Sequence, residues 1–248
     1  MSMKSQKVID IAIIGAGITG LTIAHSLTKN NKNFLLFESS NEAGGSLRTR
    51  VIEECTLELG ANTCMLSAEL ENLNEELKIN KSVIVPQANI RNRFIYSAKT
   101  KQKLIEFPSG PLSLLKFPLL SGFEKIRIFK EPFIKSTKIE DEDTYSFFAK
   151  RLGRGATEKL VCTALTGIWA CDFKKLSIRS ALPMIWESEQ EHGSLFKGLL
   201  KKNKKPKSKG VISYQGGFKT LITGFLNNIS NDLILLNTKV ISISKLKE

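Results

Sequence analysis

The sequence predicts an α/β fold, and three observations carry that reading. A short β-branched run, Val8 to Ile14, gives way to three glycines and then to apolar residues at helical spacing. A second apolar run, Asn33 to Glu38, ends in an acid. Strand and helix patterns then alternate to about residue 85, as they do in a βαβ unit.

The run Val8 to Ile14 has the texture of a strand buried on both faces, and Leu21, Ile23, Ala24 and Leu27 mark the helix that follows. Gly15, Gly17 and Gly20 therefore sit in a strand-to-helix turn. In such a turn the first glycine permits the tight bend, the second lets a pyrophosphate approach the backbone, and the third lets helix and strand pack closely. The helix N-terminus adds free N–H groups and the positive end of a dipole. The guest this chemistry suits is a dinucleotide. Glu38 lies about twenty residues on, where a carboxylate accepts the hydroxyls of the adenosine ribose and repels a 2′-phosphate, disfavouring NADP.

Composition narrows the class. At 248 residues and 42% hydrophobic content the chain can bury one large or two ordinary cores. No apolar run reaches bilayer length and the start lacks a secretory h-region, so a cytoplasmic location is expected. Cys55, Cys64, Cys162 and Cys171 form no CxxC pair, and His25 and His192 are the two histidines. Neither a disulfide framework nor a metal site is expected, and the thiols read as reduced and mostly core. The formal charge is +13, much of it in the lysine-rich stretch Lys197 to Gly210, which reads as a solvated loop. With no aromatics there to stack bases, nucleic acid is not an expected partner.

The continuation "ESSNEAGGSLRT", Glu38 to Thr49, adds a second glycine pair and an arginine after the ribose acid. Together with "GAGITGLTIAHSL" it resembles the FAD-binding start of the flavin amine oxidase superfamily. The resemblance implies an FAD held at Gly15, Ala16, Gly17, Ile18, Thr19 and Gly20, and at Glu38 and Ser39. It further implies Gly44, Gly45, Ser46 and Arg48 along the pyrophosphate and flavin, with Arg48 as a forked donor. Gly60, Ala61, Asn62 and Thr63 fall where "LELGAN" passes the isoalloxazine ring, and Val240 where a backbone meets the adenine.

The middle of the chain resembles oxygen-dependent protoporphyrinogen oxidases in "NRFIYSAKTKQKLIEFPSGPLSLL", in "FFAKRLGRGATEKLVCTALTGIWACDFKKLSIRSALP" and in "WESEQEHGSLFKGLL". The match runs in order from Lys7 to Lys245. It implies a doubly wound, Rossmann-like FAD-binding domain interrupted by a mainly helical α+β substrate domain. The expected segments are 1–86 (FAD-binding), 87–210 (substrate) and 211–248 (return, a helix followed by strands). Phe107 to Phe133, with Lys116, Lys125, Arg127 and Lys130 interspersed, reads equally as a membrane-surface contact, as this domain makes in some relatives, and as a core-plus-rim pattern. The implied activity is oxidation of a porphyrinogen to the porphyrin in heme biosynthesis, with dioxygen as acceptor. By the same resemblance Arg93 pairs with a substrate propionate, a bidentate task suited to guanidinium. No residue proposes itself as a general base.

Relatives continue well beyond the position of Glu248, so the fold is expected to be C-terminally incomplete. That leaves a truncated or incompletely recorded enzyme, one half of a split enzyme completed by a second chain, or a decayed remnant without function; a flavin-binding or interaction module without turnover is a rival of a different class. A different oxidoreductase of the superfamily, an amine oxidase or a carotenoid desaturase, is the other alternative, and protoporphyrinogen and coproporphyrinogen are not separated.

Overall fold

The computed structural model describes residues 8–87, 93–97, 104–135, 139–201 and 208–245. The chain divides into two compact units, one of Met1–Asn89 with Pro206–Glu248 and one of Ile90–Lys205.

The first unit begins with β1 (Ile11–Ile14), α1 (Ile18–Lys29) and β2 (Phe34–Phe37). A hairpin follows, β3 (Thr49–Ile52) and β4 (Cys55–Glu58), then β5 (Cys64–Ser67), α2 (Ala68–Glu76) and β6 (Val83–Ile84). Ser67 caps α2 by accepting from Leu70 N, and Glu69 and Glu71 in the first turn complement the helix dipole.

The second unit opens on the hairpin β7 (Phe94–Tyr96) and β8 (Leu104–Glu106). It continues through α3 (Pro111–Lys116), α4 (Gly122–Phe129), α5 (Thr144–Leu152) and α6 (Arg154–Ala156). A π-helical stretch, Thr157–Cys162, joins α6 to α7 (Thr163–Trp169), and α8 (Ile178–Ala181), α9 (Pro183–His192) and α10 (Leu195–Lys201) complete the unit. Local chemistry sets the helix starts: Ser121 and Glu124 form a capping box on α4, and Asp143 caps α5. Phe117, Ile128, Phe147 and Ile178 centre its core.

The chain returns to the first unit with β9 (Ser208–Tyr214), α11 (Lys219–Asn228) and β10 (Ile234–Leu235). The sheet order is β1-β2-β10, all parallel, with Ile11 opposite Phe34 and Ile234 opposite Leu36. β9 pairs antiparallel with β5 and β6. Ile13, Phe34, Leu36, Leu21, Leu221 and Phe225 form one core, so α1 and α11 cover one face of the parallel sheet.

Three expectations are corrected here. β1 is not buried on both faces: only Ile13 is, and Ala12 and Ile14 are exposed while Leu35 and Phe37 are half-buried. One face of the sheet has its helices and the other, among the described residues, does not. The alternating "VISIS" after β10 is not a strand, and Ile241 and Ile243 stand exposed, because no sheet neighbour is present there among the described residues to accept a ladder. The cysteines are not core: Cys55 and Cys171 are exposed, and Cys64 and Cys162 intermediate. Of the lysine-rich stretch, residues 202–207 lie outside the described residues, as do Asn92 and 98–103 of the segment around β7.

Candidate functional site

The three glycines of the β1–α1 turn do different work. Gly15 takes φ +97°, a conformation costly for any residue with a Cβ, and its N–H donates to Phe37 O at 2.7 Å, fixing the end of β1 to the end of β2. A Cβ on Gly20 would lie 2.0 Å from Gly15 O, so α1 can sit this close to the strand only without one. At Gly17 the nearest approach is to Gly45 Cα at 4.0 Å, which leaves the space in front of its backbone open. α1 then starts with no side-chain cap and no acid in its first turn. Its leading N–H groups are thus left for an anion.

The second glycine pair stacks on the first turn. Gly44 N donates to Ala16 O at 2.8 Å, Gly17 and Gly44 form an isolated parallel bridge, and a Cβ on Gly45 would stand 3.1 Å from Gly17 Cα. Gly60 approaches the same loop from the hairpin side, where a Cβ would lie 2.1 Å from Ser46 O. Ala61, Asn62 and Thr63 follow it, exposed. A hollow of about 590 Å³ runs beside the turn, bordered by Gly15, Gly17, Ile18, Thr19, Gly20 and Ser46 together with β1.

Glu38 joins these segments. One carboxylate oxygen accepts from Ala16 N at 2.7 Å, and the other from Ser40 N and Ser40 Oγ at 2.8 Å and from Ser39 Oγ at 3.2 Å. Burial alone would raise its pKa, but the donors from Ser40, Ala16 and Ser39 outweigh it and bring it down from 4.5 to about 2. The loop after β10 seats on the same residues: Glu38 N donates to Leu235 O, Thr238 N to Glu38 O and Asn237 N to Ser40 O. Val240, half-buried, follows two residues later. The buried Arg48 Nε makes an ion pair with Glu42 Oε1 at 3.4 Å, without hydrogen-bond geometry, and its Nη2 donates to Ser40 Oγ at 3.5 Å.

The first unit thus gathers Gly15 to Gly20, Glu38, Ser39, Gly44 to Ser46, Arg48 and Gly60 around one turn. A flavin dinucleotide fits what is there: a backbone cradle free of Cβ atoms, an uncapped helix start for its pyrophosphate and an ionised carboxylate for its ribose. Arg93 belongs to the second unit. It stands exposed immediately before β7, and its carbonyl accepts from Phe107 N at 2.7 Å.

Sequence reasoning passed over three groups. Ser40 supplies Glu38 with two hydrogen bonds, a role that the Ser-Ser pair directly after an acid could have signalled. Glu42 draws Arg48 and, at 2.5 Å, Arg50. Glu58 accepts from Thr49 Oγ1 and from Phe218 N, pinning the start of α11 to the β3–β4 hairpin. Those two contacts join residues 9 and 160 positions apart and leave no periodic trace.

Because the folded value of Glu38 is depressed, its stabilising contribution is present in full above its ordinary value of 4.5 and is lost as pH falls through 4.5 toward 2. Glu38→Gln is expected to lower stability by on the order of 1–2 kcal/mol at pH 7, after discounting for solvent screening, with the gap to the parent closing in acid. Urea unfolding of both proteins at neutral and at acid pH checks this. A gap that stays constant with pH rejects it.

Among the described residues no group of three His, Cys, Asp or Glu side chains is placed to hold a metal ion, and no helix is long and apolar enough to cross a membrane.

Comparison with known proteins matches residues 18–248 to the model of the flavin containing amine oxidoreductase family. Protoporphyrinogen oxidase 2, chloroplastic/mitochondrial, of Arabidopsis thaliana is 29% identical over 94% of this chain and 50% of that protein. Coproporphyrinogen III oxidase of Staphylococcus aureus (strain NCTC 8325 / PS 47) is 30% identical over 93% of this chain and 51% of that protein. A crystal structure from Exiguobacterium sp. 255-15, provisionally assigned as a protoporphyrinogen oxidase, superposes with a TM-score of 0.75 at 24% identity, over 99% of this chain and 55% of that one. At that identity the superposition establishes the fold alone. The chain spans about half the length of the curated relatives it matches.

Proposed function

The chain belongs to the flavin containing amine oxidoreductase family, and on that footing we propose that it forms the flavin-binding and substrate-facing part of a porphyrinogen oxidase of heme biosynthesis. Its cofactor is FAD. The observation that carries the proposal is the convergence of the Gly15–Gly20 turn, the Gly44–Gly45 pair and Glu38 on one cradle, in a chain whose relatives include both protoporphyrinogen and coproporphyrinogen oxidases. The substrate class is a porphyrinogen and the acceptor is dioxygen.

When bound, FAD would supply the hydride-accepting redox chemistry of a porphyrinogen oxidation. The residues of this chain supply position. The uncapped N-terminus of α1 and the open backbone at Gly17 bind the pyrophosphate. Glu38, ionised throughout the physiological range, accepts the ribose hydroxyls, and Arg48 turns its guanidinium charge toward phosphate or flavin. Val240 meets the adenine with its backbone, and Ala61, Asn62 and Thr63 pass the ring. In this reading the unit of Ile90–Lys205 is the substrate domain, and Arg93 holds a carboxylate of the macrocycle.

Loaded with FAD and given coproporphyrinogen III or protoporphyrinogen IX in air, the chain or the longer protein containing it is expected to generate porphyrin fluorescence. Protein that stays colourless after soaking in FAD overturns the cofactor site and the function with it. Arg93→Ala is expected to raise KM about 10- to 100-fold while leaving flavin content unchanged, the loss of a charge-assisted pair. Arg93→Lys would recover part of that. An unchanged KM removes Arg93 from the substrate site.

A second reading, that this chain holds FAD but turns over only when a further polypeptide completes it, is favoured by the uncovered sheet face at Ala12 and Ile14 and by the unpaired outer edge of β1 among the described residues. Parallel sheets are normally covered on both faces. Flavin-loaded protein that is inert alone and active once a polypeptide carrying the other half of the family's length is added supports this reading.

A further inference from the structure

We propose that the first unit carries a second ligand site, for a phosphate monoester of a small apolar alcohol, in the pocket bordered by segment 41–50, α11 and β10. This goes beyond the flavin and porphyrinogen reading and does not depend on it.

The pocket offers about 430 Å³, within the range of sites that take small organic ligands. Its floor is apolar: Ala43, Leu47, Ile222, Leu226 and Ile234 line it, and all five belong to the core of the unit or pack against it. Its charged groups are Glu42, Arg48, Arg50 and Lys219, three cations against one carboxylate. A hydrocarbon floor beside an excess of positive charge suits a ligand with an apolar body and an anionic head. Thr223 and Asn231 add neutral hydrogen-bonding groups.

The three cations converge on one place. Arg50 reaches Glu42 with both terminal nitrogens, Nη2 to Oε1 at 2.5 Å and Nη1 to Oε2 at 3.3 Å, and Arg48 Nε stands 3.4 Å from Oε1. Lys219 is close enough for its charge to act on the same carboxyl. Hydrogen bonding from Arg50, followed by the charges of Arg50, Arg48 and Lys219, outweighs desolvation and holds Glu42 below its ordinary pKa. Glu42 can neutralise only one of the three. Among the described residues Arg48 and Arg50 have no other ion pair, and Lys219 has none. Glu58, which touches Thr49 of the same wall, is committed to Thr49 Oγ1 and Phe218 N and does not line the pocket. Two positive charges are therefore left over at one spot. A phosphate monoester carries close to two negative charges on a single head above its second pKa of about 6, and offers three acceptor oxygens to guanidinium and ammonium donors. A monocarboxylate would leave one cation unmatched, and a dicarboxylate would spread its charges over two ends.

The pocket is separate from the cofactor cradle. It shares no lining residue with the hollow beside the β1–α1 turn, and Arg48 is the one residue it has in common with those assigned to FAD.

Calorimetric titration of the full chain with phenyl phosphate, with and without saturating FAD, tests the proposal. One saturable site is expected in both states. Affinity should fall at least about tenfold for methyl phenyl phosphate, the singly charged diester, and likewise for the monoester once pH drops well below about 6. Lys219→Gln should weaken phenyl phosphate binding about tenfold, and Lys219→Arg should recover most of it. Thr223→Phe, which fills the pocket from α11, should block phenyl phosphate, with circular dichroism confirming that each variant is folded. A parent chain without saturable binding, equal affinity for monoester and diester, or binding that Lys219→Gln leaves intact would each overturn the proposal. So would competition by FAD, which would return the pocket to the cofactor. A chain that binds phenyl phosphate yet stays colourless in FAD refutes the cofactor site and leaves this one standing.

Discussion

Arg151→Met is expected to cost about 3–5 kcal/mol of stability, the penalty for stripping the partner from buried charges. Arg151 is 4% exposed and sits between Glu131 at 0% and Glu189 at 3%. One guanidinium nitrogen donates to Glu131 at 2.7 Å and to Gly193 O at 3.1 Å, and the other to Glu189. Glu131 also accepts from Ser194 Oγ, Leu195 N and Phe196 N, so it anchors the first turn of α10. One cation thus compensates two carboxylates, and removing it leaves both buried without a counter-charge. Glu189→Gln should be much milder, because the Arg151–Glu131 pair and the α10 anchor survive it. Chemical denaturation of the two variants checks the order. If Arg151→Met costs no more than Glu189→Gln, the cluster is a bystander to the stability of the helical unit.

That cluster also marks where the sequence stops being informative. The β1–α1 turn was legible because glycine has few reasons to recur at a strand-to-helix junction, and because β-branched and helical periodicities flank it. Glu38 was legible by its distance from that turn. Arg151, Glu131 and Glu189 lie 20 and 38 positions apart on three different segments, and nothing in local pattern pairs them. Inside "FFAKRLG" the arginine reads as one more charge on a helix, yet it is the most buried cation of its unit among the described residues. The run "VISIS" misled in the opposite direction. Its alternation is a sound strand signal, but a strand is realised only against a neighbour, and pairing partners are not a local property. An apolar cavity of about 780 Å³ in the helical unit was hidden for a similar reason. Its walls come from residues 107 to 196, each of which reads separately as ordinary core or rim.

Gly20→Ala is expected to strip the chain of FAD while leaving most of its helix content in place. The added methyl would stand 2.0 Å from Gly15 O and 3.2 Å from Gly15 C, backbone atoms that cannot rotate away, with Ile13 Cγ2 at 3.4 Å behind them. Either α1 lifts from β1 or the turn is pushed aside, and overpacking of this kind costs about 1–3 kcal/mol or more. The same displacement drags the uncapped N–H groups at the start of α1 away from Gly15 and from the Ala16 N–H that holds Glu38, so the pyrophosphate and ribose contacts fail together. FAD affinity should fall by at least about tenfold, the equivalent of 1.4 kcal/mol. Gly15→Ala provides the contrast. Nothing lies within 4 Å of a Cβ there, so its penalty is the φ of +97° alone, about 1–2 kcal/mol, without a steric collision. Flavin titration of both variants, alongside their unfolding curves, separates the two causes: Gly20→Ala should lose more affinity than its stability loss predicts. Retention of parental FAD affinity by Gly20→Ala would mean that the spacing between helix and strand is not what positions the cofactor.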